Sequence, residues 1–303
     1  MLKNIRKIVL WLFIIMIVSF SISIILFRSA GVNFWDFANL DSDFSGFDQA
    51  NNVKGKFTNT INDESYFDLE SVNKINVSTA STDIRFIPED RADIKVHYYG
   101  SIASSNNITL PNITSELENT TLNIKINHKN LISLGFSFFN LNLDVYIPRE
   151  YSKSIMAKTA SGDVSIDNLG IENLNLESVS GDIKSESVYT EKTSFKSVSG
   201  DIKVEDYKGE LTAETVSGDL SLDISSSIKD IYTHSISGDI KIKLPNNSEF
   251  YLESKTTSGE IICDFPISIE GKLSDKNING SVGNGDTRIE VSTVSGDVKI
   301  SKK

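Results

Sequence analysis

The sequence predicts an all-β fold, a single-stranded β-solenoid (β-helix-like) of about 20-residue coils, and three observations predict it. A short phrase, Ser-Gly-Asp before a β-branched or leucyl residue, recurs at Ser161, Ser180, Ser199, Ser217, Ser237 and Ser295, with Ser-Gly-Glu at Ser258. Its glycines keep a near-constant period: Gly162, Gly181, Gly200, Gly218, Gly238 and Gly259 follow one another at 19, 19, 18, 20 and 21 residues, and Gly296 comes 37 later. The apolar residues around each glycine keep one phase. A unit this small cannot bury its own apolar face and must lie against the next.

Aligned on glycine, the units form ladders. Two residues after it stand Val164, Ile183, Ile202, Leu220, Ile240, Ile261 and Val298. Two further on stand Ile166, Ser185, Val204, Leu222, Ile242, Cys263 and Ile300, and seven before it Ile155, Leu174, Thr193, Leu211, Ile231, Leu252 and Ile289. Alternate apolar sites at a fixed phase face one core. The site four before the glycine, with Lys158, Glu177, Lys196, Glu214, His234, Lys255 and Ser292, reads as outward. Each coil is therefore two short strands joined by a glycine turn. A strand, a Gly-Asp turn and a second strand would equally build antiparallel hairpins; the even period and single-residue register favour coils. The long gap before Gly296 is expected to hide one more unit, Ile278–Val282, with Gly280 in the glycine place.

Taken in order, the chain opens with Lys3, Arg6 and Lys7, then an uncharged, proline-free run from Ile8 to Phe27, the length of a membrane-crossing helix. The flanking charges place the N-terminus in the cytoplasm and the rest of the chain outside. Arg28 occupies the place where a signal peptidase needs a small residue, so residues 1–28 are expected to be a single-pass anchor. Residues 29–64, polar with scattered aromatics such as Phe34, Trp35 and Phe37, read as a juxtamembrane linker, and 65–303 as the repeat domain. Strand patterns follow from Phe67, Ile75, Ile84, Ile94, Leu122 and Leu141, and Thr79–Ile84, reading TASTDI, is expected to start the array as a degenerate coil. The stretch from Leu131, with Leu134, Phe136, Phe138 and Phe139, breaks the alternation; it is expected to cap the stack, or else to contact a partner.

Composition narrows function. The 41 acidic and 30 basic residues of this 303-residue chain give a net charge of −11, which argues against nucleic acid. One cysteine excludes an intrachain disulfide; at a core ladder position Cys263 reads as a small hydrophobe. His97, His128 and His234 have no partner at metal-ligand spacing. The turn acids Asp163, Asp182, Asp201, Asp219, Asp239, Glu260 and Asp297 make a row that invites calcium, but one carboxylate per coil is sparse for an ion taking six to eight oxygens. The alternative is structural: glycine supplying an unusual backbone angle, and serine and aspartate closing the turn on nearby amides. No cofactor or metal is expected. Nor is catalysis, since the hydroxyls before the turn (Thr159, Ser178, Ser197, Thr215, Ser235, Thr256 and Thr293) have no acid and histidine at a consistent offset.

The TVSGDI-like phrase, the preceding VYIP strand and the closing VGNGDTRIEVSTVSGDVKI resemble the bacterial putative-adhesin family of β-strand repeats, also called toast-rack domains, over Phe67 to Lys303. The resemblance implies an all-β solenoid of the cell envelope, often with an N-terminal anchor, and in some members an association with envelope-stress systems. It supplies no catalytic residues, and the chain departs from the pattern at Thr82, Ser281 and Glu260. The expectation is a membrane-anchored extracytoplasmic binding or structural module whose partners are the membrane and an envelope protein or surface glycan. The alternatives are an accessory or sensor component of an envelope-stress system and, further off, a polysaccharide-processing β-helix enzyme.

Overall fold

The computed structural model describes residues 57–104, 109–127, 137–225, 229–269 and 274–303. The expected anchor, most of the linker, Leu134 and Phe136 lie outside them. Among the described residues no helix is long and apolar enough to cross a membrane. Apart from a 3-10 turn at Leu69–Ser71, the regular structure is strand, so the all-β expectation holds.

The first strands are β1 (Phe57–Asp68), β2 (Lys74–Ser78), β3 (Asp83–Glu89), β4 (Asp93–Ser104), β5 (Asn112–Glu118), β6 (Thr121–Asn127) and β7 (Ser137–Pro148). The regular units follow as β8 (Ser154–Thr159), β9 (Val164–Asp167), β10 (Gly170–Ser178), β11 (Ile183–Glu186), β12 (Tyr189–Lys196), β13 (Ile202–Glu214), β14 (Leu220–Ile224), β15 (Ile231–Ser237) and β16 (Ile240–Leu244). The chain ends with β17 (Phe250–Thr256), β18 (Ile261–Cys263), β19 (Ser268–Ile269), β20 (Asn277–Val282), β21 (Arg288–Ser295) and β22 (Val298–Lys302). Since β1 begins at Phe57, residues 57–64 of the expected linker are strand.

Successive units pair in parallel, and each gives one strand to each of two sheets. Before the Ser-Gly-Asp corner, Ile75, Ile155, Leu174, Thr193, Leu211, Ile231, Ile289 and Leu252 stand in register. After it, Ile84, Val164, Ile183, Ile202, Leu220, Ile240, Val298 and Ile261 do the same. Both ladders are buried in one core cluster, as their alternation with outward polar residues requires. β13 serves both sheets, turning through Asp206 (φ 49°) and Gly209 (φ 142°). Hairpins are thereby ruled out for the regular units.

The spatial order departs from the chain order at both ends. β2 lies between β6 and β8, and β3 between β7 and β9, so the unit at 121–148 stands outside the one at 74–89. At the other end β21 lies between β15 and β17, and β22 between β16 and β18. The last unit of the chain thus fills a place that the preceding one leaves open. Beyond these units the pairing becomes antiparallel: β7 with β4 and β4 with β1, β6 with β5, and β17 with β20 and β20 with β19. Reversed strands cover β6, β7 and β17 at the ends of the parallel stack, where unpaired edges invite aggregation, while among the described residues β18 pairs with β22 alone. The unit expected at Ile278–Val282 is corrected here: it is β20, antiparallel to β17, with Gly280 opposite Leu252. Its inserted length explains the gap between Gly259 and Gly296.

Two packing details yield predictions. Ser185 sits in a ladder between Ile166 and Val204, 3% exposed, and among the described residues its hydroxyl has no hydrogen-bond partner. Ser185→Ala is expected to raise stability by about 1 kcal/mol in urea denaturation, because an unpaired buried hydroxyl is removed. A Cβ at Gly200 would lie 2.0 Å from the Gly181 carbonyl oxygen, whereas one at Gly170 meets nothing within 4 Å. Gly200→Ala is expected to destabilise by about 3 kcal/mol or more and Gly170→Ala to be neutral in the same measurement.

Candidate functional site

The Ser-Gly-Asp corner is built by three repeated contacts. The first is the acid. The amide of Asp163 donates to Asp83 Oδ1 at 2.9 Å, Asp182 to Asp163 at 2.9 Å, Asp201 to Asp182 at 3.0 Å, Asp219 to Asp201 at 2.8 Å and Asp239 to Asp219 at 2.8 Å. The row continues through Asp297 to Asp239 at 2.9 Å and ends with Glu260 to Asp297 at 2.8 Å. It follows the spatial order, and it begins at Asp83, so the degenerate phrase at Thr79 is the first corner of the array. Each carboxylate joins two units with a charge-assisted bond.

The second contact is the hydroxyl three residues before the glycine. Thr159, Ser178 and Ser197 accept the amides of Gly162, Gly181 and Gly200 at 3.0, 2.8 and 2.8 Å. Thr256 and Thr293 instead donate to the Gly296 and Gly238 carbonyls at 3.0 and 3.3 Å. The third is the glycine itself. None of these corner glycines has a positive φ; each would drive a Cβ to between 1.9 and 2.3 Å of the neighbouring unit's carbonyl oxygen. Close approach, not backbone angle, requires glycine here.

This arrangement commits one oxygen of each corner aspartate to the neighbouring amide. Lys184 Nζ stands 3.6 Å from Asp182 and 3.9 Å from Asp163, while Lys203 pairs with Glu205 at 3.0 Å. Among the described residues no three His, Cys, Asp or Glu side chains are grouped to hold a metal. His97 bonds Asn62 at 2.8 Å and stacks on Tyr99, and His234 bonds Ser292 at 2.9 Å; His128 lies outside the described residues. Cys263 is half-buried beside Ile300, and burial pushes its thiol pKa up. Phe139, in β7, is 37% exposed. The outward Asp144 of β7 is nearly covered, by Arg85 at 2.7 Å and by the phenols of Tyr99 and Tyr146 at 3.1 and 3.3 Å. Burial, ahead of that carboxylate, pushes both phenols up.

Two surface features stand out among the described residues; the first lies away from the residues singled out from the sequence, and the second is walled by the outward site four before the glycine. One is a cleft of about 720 Å³ at the opposite corner, lined among others by Glu172, Tyr189, Glu191, Asp206, Lys208 and Lys229. The chain turns there through Asn168, Ser187 and Asp206, at φ 52°, 52° and 49°. Ser187 and Tyr189 both donate to Asp206 Oδ2, at 3.0 and 3.3 Å, and the nearby carboxylate, ahead of desolvation, raises the Tyr189 phenol pKa. Tyr189 is nonetheless 45% exposed. The other is a groove of about 500 Å³ beside the Ser-Gly-Asp corner, floored by Val179, Val198, Val216 and Ile236 and walled by Lys158, Glu177, Lys196, Glu214 and His234. The signal for the groove was in the alternation: two before the glycine is an outward site, yet at Val179, Val198, Val216, Ile236 and Val294 it is held by valine or isoleucine.

The sequence model of the Toastrack DUF4097 family matches residues 72–301. No curated protein matches the chain. Among solved structures, a putative adhesin from Bacteroides fragilis NCTC 9343 is similar at 16% identity over 82% of this chain and 99% of its own, with a TM-score of 0.41. A putative cell adhesion protein from Clostridium sporogenes ATCC 15579 is similar at 15% identity over 81% and 100%, TM-score 0.38. A putative lipid binding protein from Parabacteroides distasonis ATCC 8503 shares 15% identity over 81% and 97%, TM-score 0.39.

The corner bonds give a direct test of the calcium expectation. Asp201→Asn, which keeps a neutral acceptor for the Asp219 amide, is expected to lower stability by less than Asp201→Ala, which should cost about 1 kcal/mol or more. Millimolar calcium should shift neither; a calcium-dependent rise lost in Asp201→Asn would make the row an ion site.

Proposed function

The chain belongs to the Toastrack family, and on that premise we propose that it is a non-enzymatic binding module of the bacterial cell envelope, tethered by residues 8–27, with its β-domain outside the membrane and a surface glycan as its ligand. The observation that carries the reading is the cleft at Tyr189. A sugar presents an apolar C–H face and a rim of hydroxyls that donate and accept. The half-exposed Tyr189 ring offers an apolar platform whose phenol is already oriented by Asp206. Glu172, Glu191 and Asp206 supply acceptors and Lys208 and Lys229 donors around the same opening. A concave site with an aromatic body and a few convergent polar groups is the usual form of a small-ligand site.

The stacked architecture supports the same reading. Stiff parallel units keep the cleft residues at fixed spacing, so that little order is lost on binding. The corner acids, by contrast, are held by neighbouring amides, which leaves the Ser-Gly-Asp row as scaffold. On this reading we assign glycan binding to the opposite corner.

The test is binding of the full-length protein to a glycan array and to solubilised peptidoglycan fragments. Tyr189→Ala is expected to weaken binding at least about tenfold, the loss of one aromatic contact plus an ordered phenol. Asp206→Asn, which tolerates the left-handed backbone, should weaken it less, and both should keep the wild-type melting temperature. Absence of binding to any glycan, or affinity unchanged in Tyr189→Ala, would reject the assignment, and release of reducing ends from the fragments would reject the non-enzymatic part.

A further inference from the structure

We infer that the groove beside the Ser-Gly-Asp corner is where a second copy of this chain docks, antiparallel, about a two-fold axis between Val198 and Val216.

The floor of the groove is a row of apolar side chains exposed where water should meet polar ones. Val179, Val198, Val216 and Ile236 are 49%, 43%, 41% and 45% exposed, and Val294 of the next unit in space is 45% exposed. They sit on successive units, spaced about 4.8 Å apart as neighbouring strands are, and so form one continuous stripe. Contiguous apolar surface of this kind marks a contact site more often than isolated exposed residues do.

The backbone beneath the stripe narrows what can occupy it. The amides of Ser180, Ser199, Ser217 and Ser237 already donate to the carbonyls of Ala160, Val179, Val198 and Val216. No ladder edge is open there, so an extended peptide gains no main-chain bonds, and recognition must be between side chains. A partner that meets the whole stripe must repeat at the same spacing. A second copy has that spacing by construction, and an isologous contact uses the same stripe on both sides.

The charged wall excludes the registers one unit to either side. Along the stack it reads Lys158, Glu177, Lys196, Glu214, His234, with ion pairs of 2.7 Å between Lys158 and Glu177 and 2.8 Å between Lys196 and Glu214. This alternation stabilises one chain by cross-strand pairing, and reversed it is complementary to itself. With the axis between Val198 and Val216, Val198 meets the partner's Val216 and Val179 the partner's Ile236. Lys196 then faces the partner's Glu214, and Glu177 the partner's His234. A slip of one unit places Lys196 on the partner's Lys196 and Glu177 on the partner's Glu214, so like charges exclude it.

The full-length protein in detergent micelles, examined by sedimentation velocity over a range of concentrations, is expected to be a dimer. Val198→Lys with Val216→Lys should make it a monomer with an unchanged melting temperature. Lys196→Glu should weaken the dimer at least tenfold, and Lys196→Glu with Glu214→Lys should restore it, which association through the apolar N-terminal run would not do. A photo-crosslinker placed at Val198 in a mixture of isotopically light and heavy chains should give mixed-mass products at Val216. A monomeric wild type, a dimer that survives the double lysine variant, or crosslinks only to a different protein would each overturn the inference.

Discussion

Everything in this fold depends on how closely one corner can lie on the next. At the Ser-Gly-Asp turn the backbone of each unit touches the corner carbonyl of its neighbour at a distance no side chain allows, and there the carboxylate of one unit reaches the amide of the next. The two requirements support each other. Glycine permits the approach, and the acid converts it into a bond that also fixes the register, since a slip by one residue would turn both ladders from core to solvent. The buried ladders follow from that register, as do the exposed rows. Asp83 and Asp163 are joined in this way across 80 residues of chain, and Asp239 and Asp297 across 58, so the contact also holds units that the sequence separates.

The ladders were legible because a fixed period sets the phase of every position within a unit. Val164, Ile183 and Ile202 need no more than their distance from a glycine to be placed inside. The same arithmetic found the first corner at Thr79, where threonine stands for glycine at Thr82. It failed at Ile278–Val282, where a Gly in an Ile-Asn-Gly-Ser-Val phrase resembles the repeat but belongs to a reversed strand, because local sequence does not record strand direction. It also misjudged why glycine is needed, since a tight turn and a tight neighbour make the same demand on a sequence. Chain order was taken for spatial order, and pairing among distant units is a property of the closed stack that no single unit carries.

The two open surfaces differ in legibility for a related reason. The stripe at Val179, Val198, Val216 and Ile236 repeats one residue type at one position and stands against the alternation of its strand, so it is visible to anyone who marks which sites face out. The cleft is not. Its left-handed corners are Asn168, Ser187 and Asp206, different letters at the same place, and Tyr189 has no aromatic counterpart one unit away. A repeat scaffold hides its particular sites where the repeat is least exact and advertises its general surfaces where it is most exact.

The place of β21 and β22 has a consequence for how the protein comes into being. Residues 288–302 stand between the unit ending at Leu244 and the unit at 250–263, so the penultimate unit cannot meet its native neighbour while the chain is still being made. Until residues 288–302 have been made, the stack ends at Leu244 and the segment after it has only its own hairpin, β17 with β20, to pair with. A chain cut short before Arg288 therefore leaves β17 and β18 without β21 and β22, their parallel neighbours in the two sheets. The arrival of residues 288–302 is itself the step that joins the two parts of the far end.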